Sequence, residues 1–251
     1  MSSYLITGTS RGIGLELVRQ LVDKPKEEVG VIFASARSPN NPKLDELLQQ
    51  HPGRIVYVPL DVTDEQSVRN ASQLVQTALK GKKLDVLINN AGVMKYGPIE
   101  QMDDLEESFR VNVAGVHYVT RAFLPLMRDG EIKKVLNIST SLGSITRQPI
   151  YKESFVPSYK VTKAALNMLT VAYSQELDKE GFTVFCISPG WLRTDLGSQN
   201  ADLPVATGVG AVLDVLWKTG REGNGRFFNV HVPGWENNPG MNQYDGKELP
   251  W

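Results

Sequence analysis

Seven short apolar runs alternate with six segments of helical period along nearly the whole chain of 251 residues, and few architectures accept that alternation. The runs are Tyr4–Thr7, Val29–Ala36, Arg54–Leu60, Leu84–Asn89, Lys134–Ser139, Phe182–Ser188 and Arg226–Val230. Most are continuous rather than alternating in polarity, the pattern of strands covered on both faces of a parallel sheet. Between them, Leu15–Asp23, Lys43–Gln50, Glu65–Lys80, Leu105–Arg128, Ser158–Lys179 and Val205–Lys218 carry apolar residues at three- and four-residue spacing, as helices packed on such a sheet do. Strand and helix in turn, joined by right-handed crossovers, predict an α/β fold with a doubly wound parallel sheet of about seven strands.

A chain of this length buries roughly 70–75% of its unfolded surface without covalent staples. Its one cysteine, Cys186, can form no disulfide within the chain, falls in the sixth apolar run and reads as a core residue. A single thiol beside three histidines excludes a Cys/His structural zinc site, and no metal is expected. Lys and Arg number 27 against 28 Asp and Glu, so a net charge of −1 offers no basic stripe to nucleic acid and no cationic face to a membrane. No window approaches the roughly 18–20 apolar residues of a membrane span. Met1–Gly8 lacks the basic and apolar regions of a secretion signal, so a cytoplasmic chain is expected. With no repeat, low-complexity stretch or linker, residues 1–251 are expected to form one domain. The Gly/Pro/Asn-rich stretches after the fifth and sixth runs lie where ligands bind in open α/β sheets. Together with Val93–Ile99, residues 144–157 and 191–210 are therefore the expected substrate loops.

The first run leads directly into Thr7-Gly8-Thr9-Ser10-Arg11-Gly12-Ile13-Gly14. Missing side chains at Gly8, Gly12 and Gly14 let the turn tighten and the backbone approach a pyrophosphate, while the following helix offers free N–H groups and a positive dipole end. A plain tight turn is the alternative. At the end of the second run an acidic residue would hold a ribose 2′-hydroxyl and favour NAD, whereas arginine accommodates the 2′-phosphate of NADP. Here there is no acid; Arg37 follows the run, and Arg11 in the glycine turn can share the same phosphate. Asp61, in Leu60-Asp61-Val62-Thr63, can accept from an adenine amino group or serve the next helix as a cap. Asn89-Asn90-Ala91-Gly92 can leave room for the adenine ribose while bonding the sheet's edge carbonyls, or simply turn.

Tyr159-Lys160-Val161-Thr162-Lys163 places a phenol and an ammonium one helical turn apart on one face. An adjacent ammonium stabilises phenolate and brings a phenol nearer to acid–base work at neutral pH. Tyr118 and Tyr151 compete, but neither has a lysine four residues on. Asn137-Ile138-Ser139-Thr140-Ser141-Leu142-Gly143-Ser144 closes the fifth run with hydroxyls, any of which could donate to a developing alkoxide or simply shape a turn. Asn112, inside a strongly apolar helix, is either a structural kink or a group that holds a relay water.

Taken together, the glycine turn, Asn89-Asn90-Ala91-Gly92, Asn112, the hydroxyl cluster, Tyr159-x-x-x-Lys163 and Ser188-Pro189-Gly190 resemble the short-chain dehydrogenase/reductase family, from residue 4 to about residue 195. More narrowly, Gly143-Ser144-Ile145, Pro189–Asp195 and Tyr244–Trp251 resemble the sniffer/C-factor type of carbonyl reductase and some fungal polyketide ketoreductases. This resemblance implies a three-layer Rossmann fold that binds NADP(H) through Gly8, Ser10, Arg11, Gly12, Ile13, Gly14, Arg37, Asp61, Val62, Asn90, Ala91 and Gly92. It implies hydride transfer between nicotinamide and a small-molecule carbonyl or alcohol, with Tyr159 as general acid in reduction. Lys163 would hold the nicotinamide ribose and depress the tyrosine pKa, and Asn112 would position a water leading to Lys163. Pro189, Gly190 and Thr194 would seat the nicotinamide. The resembling family also pairs its long helices across a two-fold axis, so a homodimer or homotetramer is expected. Thr140 stands where that family has its carbonyl-polarising serine; a threonine donates the same hydrogen bond but fills more space, and Ser141 or Ser139 are the alternatives. The gap from Thr140 to Tyr159 exceeds the family's usual one, so Arg147–Pro157 is expected to contain an inserted turn. The leading expectation is an NADPH-dependent carbonyl reductase. Its competitors are an NAD(P)-dependent alcohol or hydroxysteroid dehydrogenase and a non-catalytic NADP-binding regulatory protein.

Overall fold

A computed structural model describes all 251 residues. The strands are β1 (Ser2–Thr7), β2 (Val29–Ala36), β3 (Ile55–Pro59), β4 (Val86–Asn89), β5 (Lys134–Ile138), β6 (Thr183–Ser188) and β7 (Phe227–Asn229). The helices are α1 (Gly12–Val22), α2 (Pro42–Gln50), α3 (Glu65–Leu79), α4 (Leu105–Phe109), α5 (Gly115–Met127), α6 (Pro157–Glu176) and α7 (Val205–Lys218). The strands form one parallel sheet in the order β3-β2-β1-β4-β5-β6-β7, the doubly wound Rossmann-type arrangement expected. In that order the chain reverses direction of travel across the sheet between β1 and β4, where open α/β sheets bind ligands.

One expected helix is not continuous. Leu105–Arg128 is α4, a π-helical turn at Arg110–Ala114, and α5. The turn contains Asn112, whose side-chain amide is bound by both backbone groups of Val93, outside the helix, at the place where the regular ladder is interrupted.

Contacts divide the chain into two compact units. The first, residues 1–91 and 115–136, holds β1 to β4 with α1, α2, α3 and α5 around a core that includes Leu5, Ile6, Leu17, Ile32, Phe33 and Phe123. Gly115 begins α5 because Val62 crowds it: a Cβ there would lie 2.9 Å from Val62 Cγ2. The second, residues 92–114 and 137–251, holds α4, the π-turn, α6, α7, β6 and β7 around Phe182, Phe185 and Phe227. Buried Cys186 packs with Phe227 and Leu249 as a core residue, and burial holds its thiol above the ordinary range. The last residues run back along β7 in antiparallel sense, with Leu249 N–H donating to Phe227 O at 2.7 Å, which occupies groups that an edge strand otherwise exposes.

Candidate active site

In the first unit, the turn from β1 into α1 is shaped by what cannot be there. Gly8 has φ +73°, and a Cβ on it would lie 2.9 Å from Ala91 Cα; on Gly14 a Cβ would lie 2.2 Å from Gly8 O. Gly12 also takes a positive φ, at +56°. The Asn90 side chain braces the turn by donating to Thr7 O at 2.8 Å and Gly8 O at 3.1 Å, while Thr7 Oγ1 accepts from the Asn90 and Ala91 N–H groups. No side chain caps α1, so its first N–H groups, beside Ser10, Arg11 and Ile13, are left without a capping acceptor. Arg11 and Arg37 are exposed, and Arg37 leaves β2 directly. Asp61 accepts from Thr63 N–H and from its hydroxyl, and the helix cap it could have made is made by Asp64. A phosphate-bearing dinucleotide fits these residues: backbone can approach it at Gly8 and Gly12, uncapped donors begin α1, Arg11 lies in the turn, and Arg37 follows the end of β2, which the Thr9 N–H bond to Ser35 O holds beside the turn.

In the second unit, α6 starts at Pro157, where a missing N–H costs nothing. Its buried face carries Tyr159, Thr162, Lys163, Asn167 and Thr170. Lys163 Nζ donates to Ile138 O at 2.7 Å and lies 5.5 Å over the Tyr159 ring centroid. The hydroxyl turn at 141–143 sits directly on α6, for a Cβ at Gly143 would lie 2.9 Å from Lys163 Cβ. Burial first, then Tyr96, holds the Tyr159 phenol above its ordinary range. Burial pulls Lys163 down to about 8, against a small opposing effect of Cys186. The expected lowering of the tyrosine by the lysine is therefore not found: the ammonium lies over the ring face with its hydrogen bond turned to Ile138 O, and burial raises the phenol. Tyr159 accordingly keeps its proton, the form a general acid requires.

The three neighbouring hydroxyls separate cleanly. Ser139 is buried and donates to Asn167 Oδ1 at 2.6 Å. Ser141 Oγ accepts from the Tyr151 hydroxyl at 2.9 Å, and its N–H donates to Ser188 Oγ at 3.1 Å. Thr140 Oγ1 accepts only a long 3.3 Å bond from Leu142 N–H as the cap of the short turn, which leaves its own proton to give. Asn112 is fully buried; its Oδ1 accepts from Val93 N–H, and its Nδ2 donates to Val93 O and Thr162 Oγ1. It is thus the kink, with both amide protons used. After β6, Pro189 is buried, Gly190 has φ +87°, and Thr194 Oγ1 accepts from Gly197 N–H at 3.0 Å. Gly92 begins the 92–114 stretch, where Gly97 N–H donates to Phe155 O, joining two expected substrate loops. The stretch 147–157 does contain a short helical turn, Gln148–Tyr151. Sequence reading assigned no role to Asn167, which follows Tyr159 and Lys163 at the same four-residue step, or to Asp202, and named Tyr151 only as a competing tyrosine and Tyr244 only within Tyr244–Trp251.

A family model, short chain dehydrogenase, matches residues 3–203, and the chain belongs to this family of oxidoreductases, which use nicotinamide cofactors. Among its relatives is a short-chain dehydrogenase/reductase of Arthrinium sp, 35% identical over 216 residues, 81% of this chain and 79% of that one. The NADPH-bound carbonyl reductase from chicken fatty liver superposes with a TM-score of 0.88 at 31% identity, covering 100% of this chain and 94% of that one. The carbonyl reductase Sniffer of D. melanogaster gives 0.87 at 28% identity, with both chains covered in full. No helix is long and apolar enough to cross a membrane.

Proposed function

We propose that the chain is an NADPH-dependent carbonyl reductase acting on a ketone or aldehyde. One observation carries the reading: a buried phenol held in its protonated form, with a lysine ammonium over its ring and a hydroxyl turn seated on the same helix. Bound NADPH supplies the hydride. Tyr159 gives its proton to the carbonyl oxygen as charge develops there. Thr140 donates a second hydrogen bond to that oxygen and stabilises the alkoxide character. Lys163 holds the nicotinamide ribose and supports the phenolate left behind, while Asn112 fixes the backbone from which a water reaches Lys163. Arg11 and Arg37 would take the 2′-phosphate, Asp61 and Val62 would hold the adenine, and Pro189, Gly190 and Thr194 would seat the nicotinamide. The chicken enzyme's NADPH and the missing acid after β2 both favour the phosphorylated cofactor.

The test is a carbonyl panel assayed with the wild-type protein and Tyr159→Phe, beside titrations with NADPH and NADH. Turnover is expected to fall about 10²–10⁴-fold in the variant, the range for a lost general acid, with NADPH still bound. Turnover unchanged in Tyr159→Phe, or NADH bound as tightly as NADPH, would overturn the reading.

A further inference from the structure

Tyr151, with no lysine to make it an acid, is nonetheless buried, and its hydroxyl donates to Ser141 Oγ. It is held elsewhere too: Lys160 Nζ donates to its carbonyl at 2.7 Å, and the Arg147 guanidinium lies 5.9 Å over its ring. Polar contacts continue from that hydroxyl. The same hydroxyl proton is shared with Asn242 Oδ1, a second and weaker acceptor at 3.4 Å, and Asn242 Nδ2 donates to Asp202 Oδ2 at 2.8 Å. The Tyr244 hydroxyl donates to the same carboxylate oxygen at 2.5 Å and accepts from Trp191 N–H at 3.0 Å. One carboxylate oxygen therefore joins the hydroxyl turn to the turn that follows β6. A second observation places Tyr244 at that turn, because a Cβ on Gly190 would lie 3.2 Å from its ring. Burial, then the hydrogen bond to Asp202, keeps the Tyr244 phenol protonated and donating. Hydrogen bonds to an ionised acceptor are stronger than neutral ones, and members of a chain reinforce one another.

We propose that Tyr151, Asn242, Asp202 and Tyr244 are positioning residues that hold the hydroxyl turn and the Pro189-Gly190-Trp191 turn in one register, Tyr151 governing the substrate side and Tyr244 the cofactor side. The kinetic consequence rests on the reductase reading; the hydrogen-bond chain itself does not. Ser141, engaged by Tyr151, becomes an anchor, and Thr140 is left as the polarising hydroxyl.

Amide hydrogen exchange of the full chain without ligand tests the connection. Asp202→Ala is expected to quicken exchange about fivefold in peptides covering residues 139–151 and 189–197 and to leave the β1 peptide unchanged. Asp202→Asn, which keeps an acceptor oxygen, recovers most of the protection. Quickening in only one of the two peptides, or in neither, overturns the chain. Kinetics then test its use. Tyr151→Phe is expected to raise the KM for the ketone about fivefold with the NADPH Kd, read by cofactor fluorescence, unchanged; Tyr244→Phe is expected to do the reverse. Equal changes in both constants, or none, overturn the positioning role. Should the wild-type protein bind no NADPH and reduce no ketone, the reductase reading falls, and the exchange result still decides the connection.

Discussion

Lys163 is the residue whose environment sets the pH behaviour of the proposed reaction. Its burial brings it to about 8, so it carries its charge below that pH and sheds it above. Tyr159 is held protonated well beyond that point by its own burial, so loss of the acid's proton does not limit the rate first. Reduction is therefore expected to slow as pH rises through about 8, because the phenolate formed after proton transfer loses its supporting cation. A pH–rate profile of kcat/KM checks this: the alkaline limb should be present in the wild type and displaced upward in Lys163→Arg, whose guanidinium stays charged. The same scale separates the hydroxyls. Thr140→Val keeps the shape of the side chain and removes its donor, and should cost about 10²–10³-fold in kcat, the loss known for one donor to a developing oxyanion. Ser141→Ala should cost much less, since its Oγ accepts from Tyr151 and its N–H from the backbone still reaches Ser188. The resemblance placed Thr140 at the family's serine position, but what separates it from Ser139 and Ser141 lies in Tyr151 and Asn167, residues brought to them only by the fold.

Among elements, legibility followed the strength of the periodic signal. All seven strands were readable to within two residues at each end, since strands buried on both faces appear as unbroken apolar runs. Of the π-turn only a kink at Asn112 was readable, as one of two alternatives, because a single inserted residue leaves apolar spacing on either side almost unchanged and the Asn112 amide is bound by Val93, nineteen positions away. The bonds that the tail after residue 234 makes to β7 and to Ser144 were unreadable for a similar reason, since their partners lie far from it in sequence. The glycine turn was readable in position and residue type, and the structure adds which glycine is least replaceable. At Gly14 a methyl group would stand 2.2 Å from Gly8 O and 2.6 Å from Asn90 Nδ2, so Gly14→Ala must open the turn. NADPH affinity is expected to fall at least about tenfold in that variant with the sheet intact by circular dichroism. Asn112→Ala tests the π-turn in turn. It leaves both backbone groups of Val93 without their partner and removes the bond that Thr162 Oγ1 accepts, and should cost about 2 kcal/mol, lowering Tm by about 4–8 °C for a chain of this size. An unchanged melting curve would show that the amide is dispensable to the fold.

At the scale of the whole molecule, a net charge of −1 means that no long-range field draws an anion to the protein. Whatever attraction NADPH feels must be local, and in the proposed reading it comes from Arg11 and Arg37, both exposed and both beside the ends of strands in the first unit. Exposed charges are screened over roughly 8–10 Å at ordinary ionic strength, so this contribution is the part of binding that salt can remove. NADH lacks the 2′-phosphate and has nothing for the pair to hold. Raising salt from low to moderate concentration is therefore expected to weaken NADPH binding and leave NADH binding nearly level, narrowing the preference between them. Arg37→Ala should produce the same narrowing at low salt, raising the NADPH Kd about tenfold and the NADH Kd hardly at all, and it should flatten the salt dependence that remains. Fluorescence titrations of both cofactors across a salt series, with wild type and variant side by side, measure all four slopes. A preference for NADPH that survives both high salt and the loss of Arg37 would mean that the phosphate is recognised by neutral donors at the start of α1 instead, and the two arginines would then be ordinary surface charge.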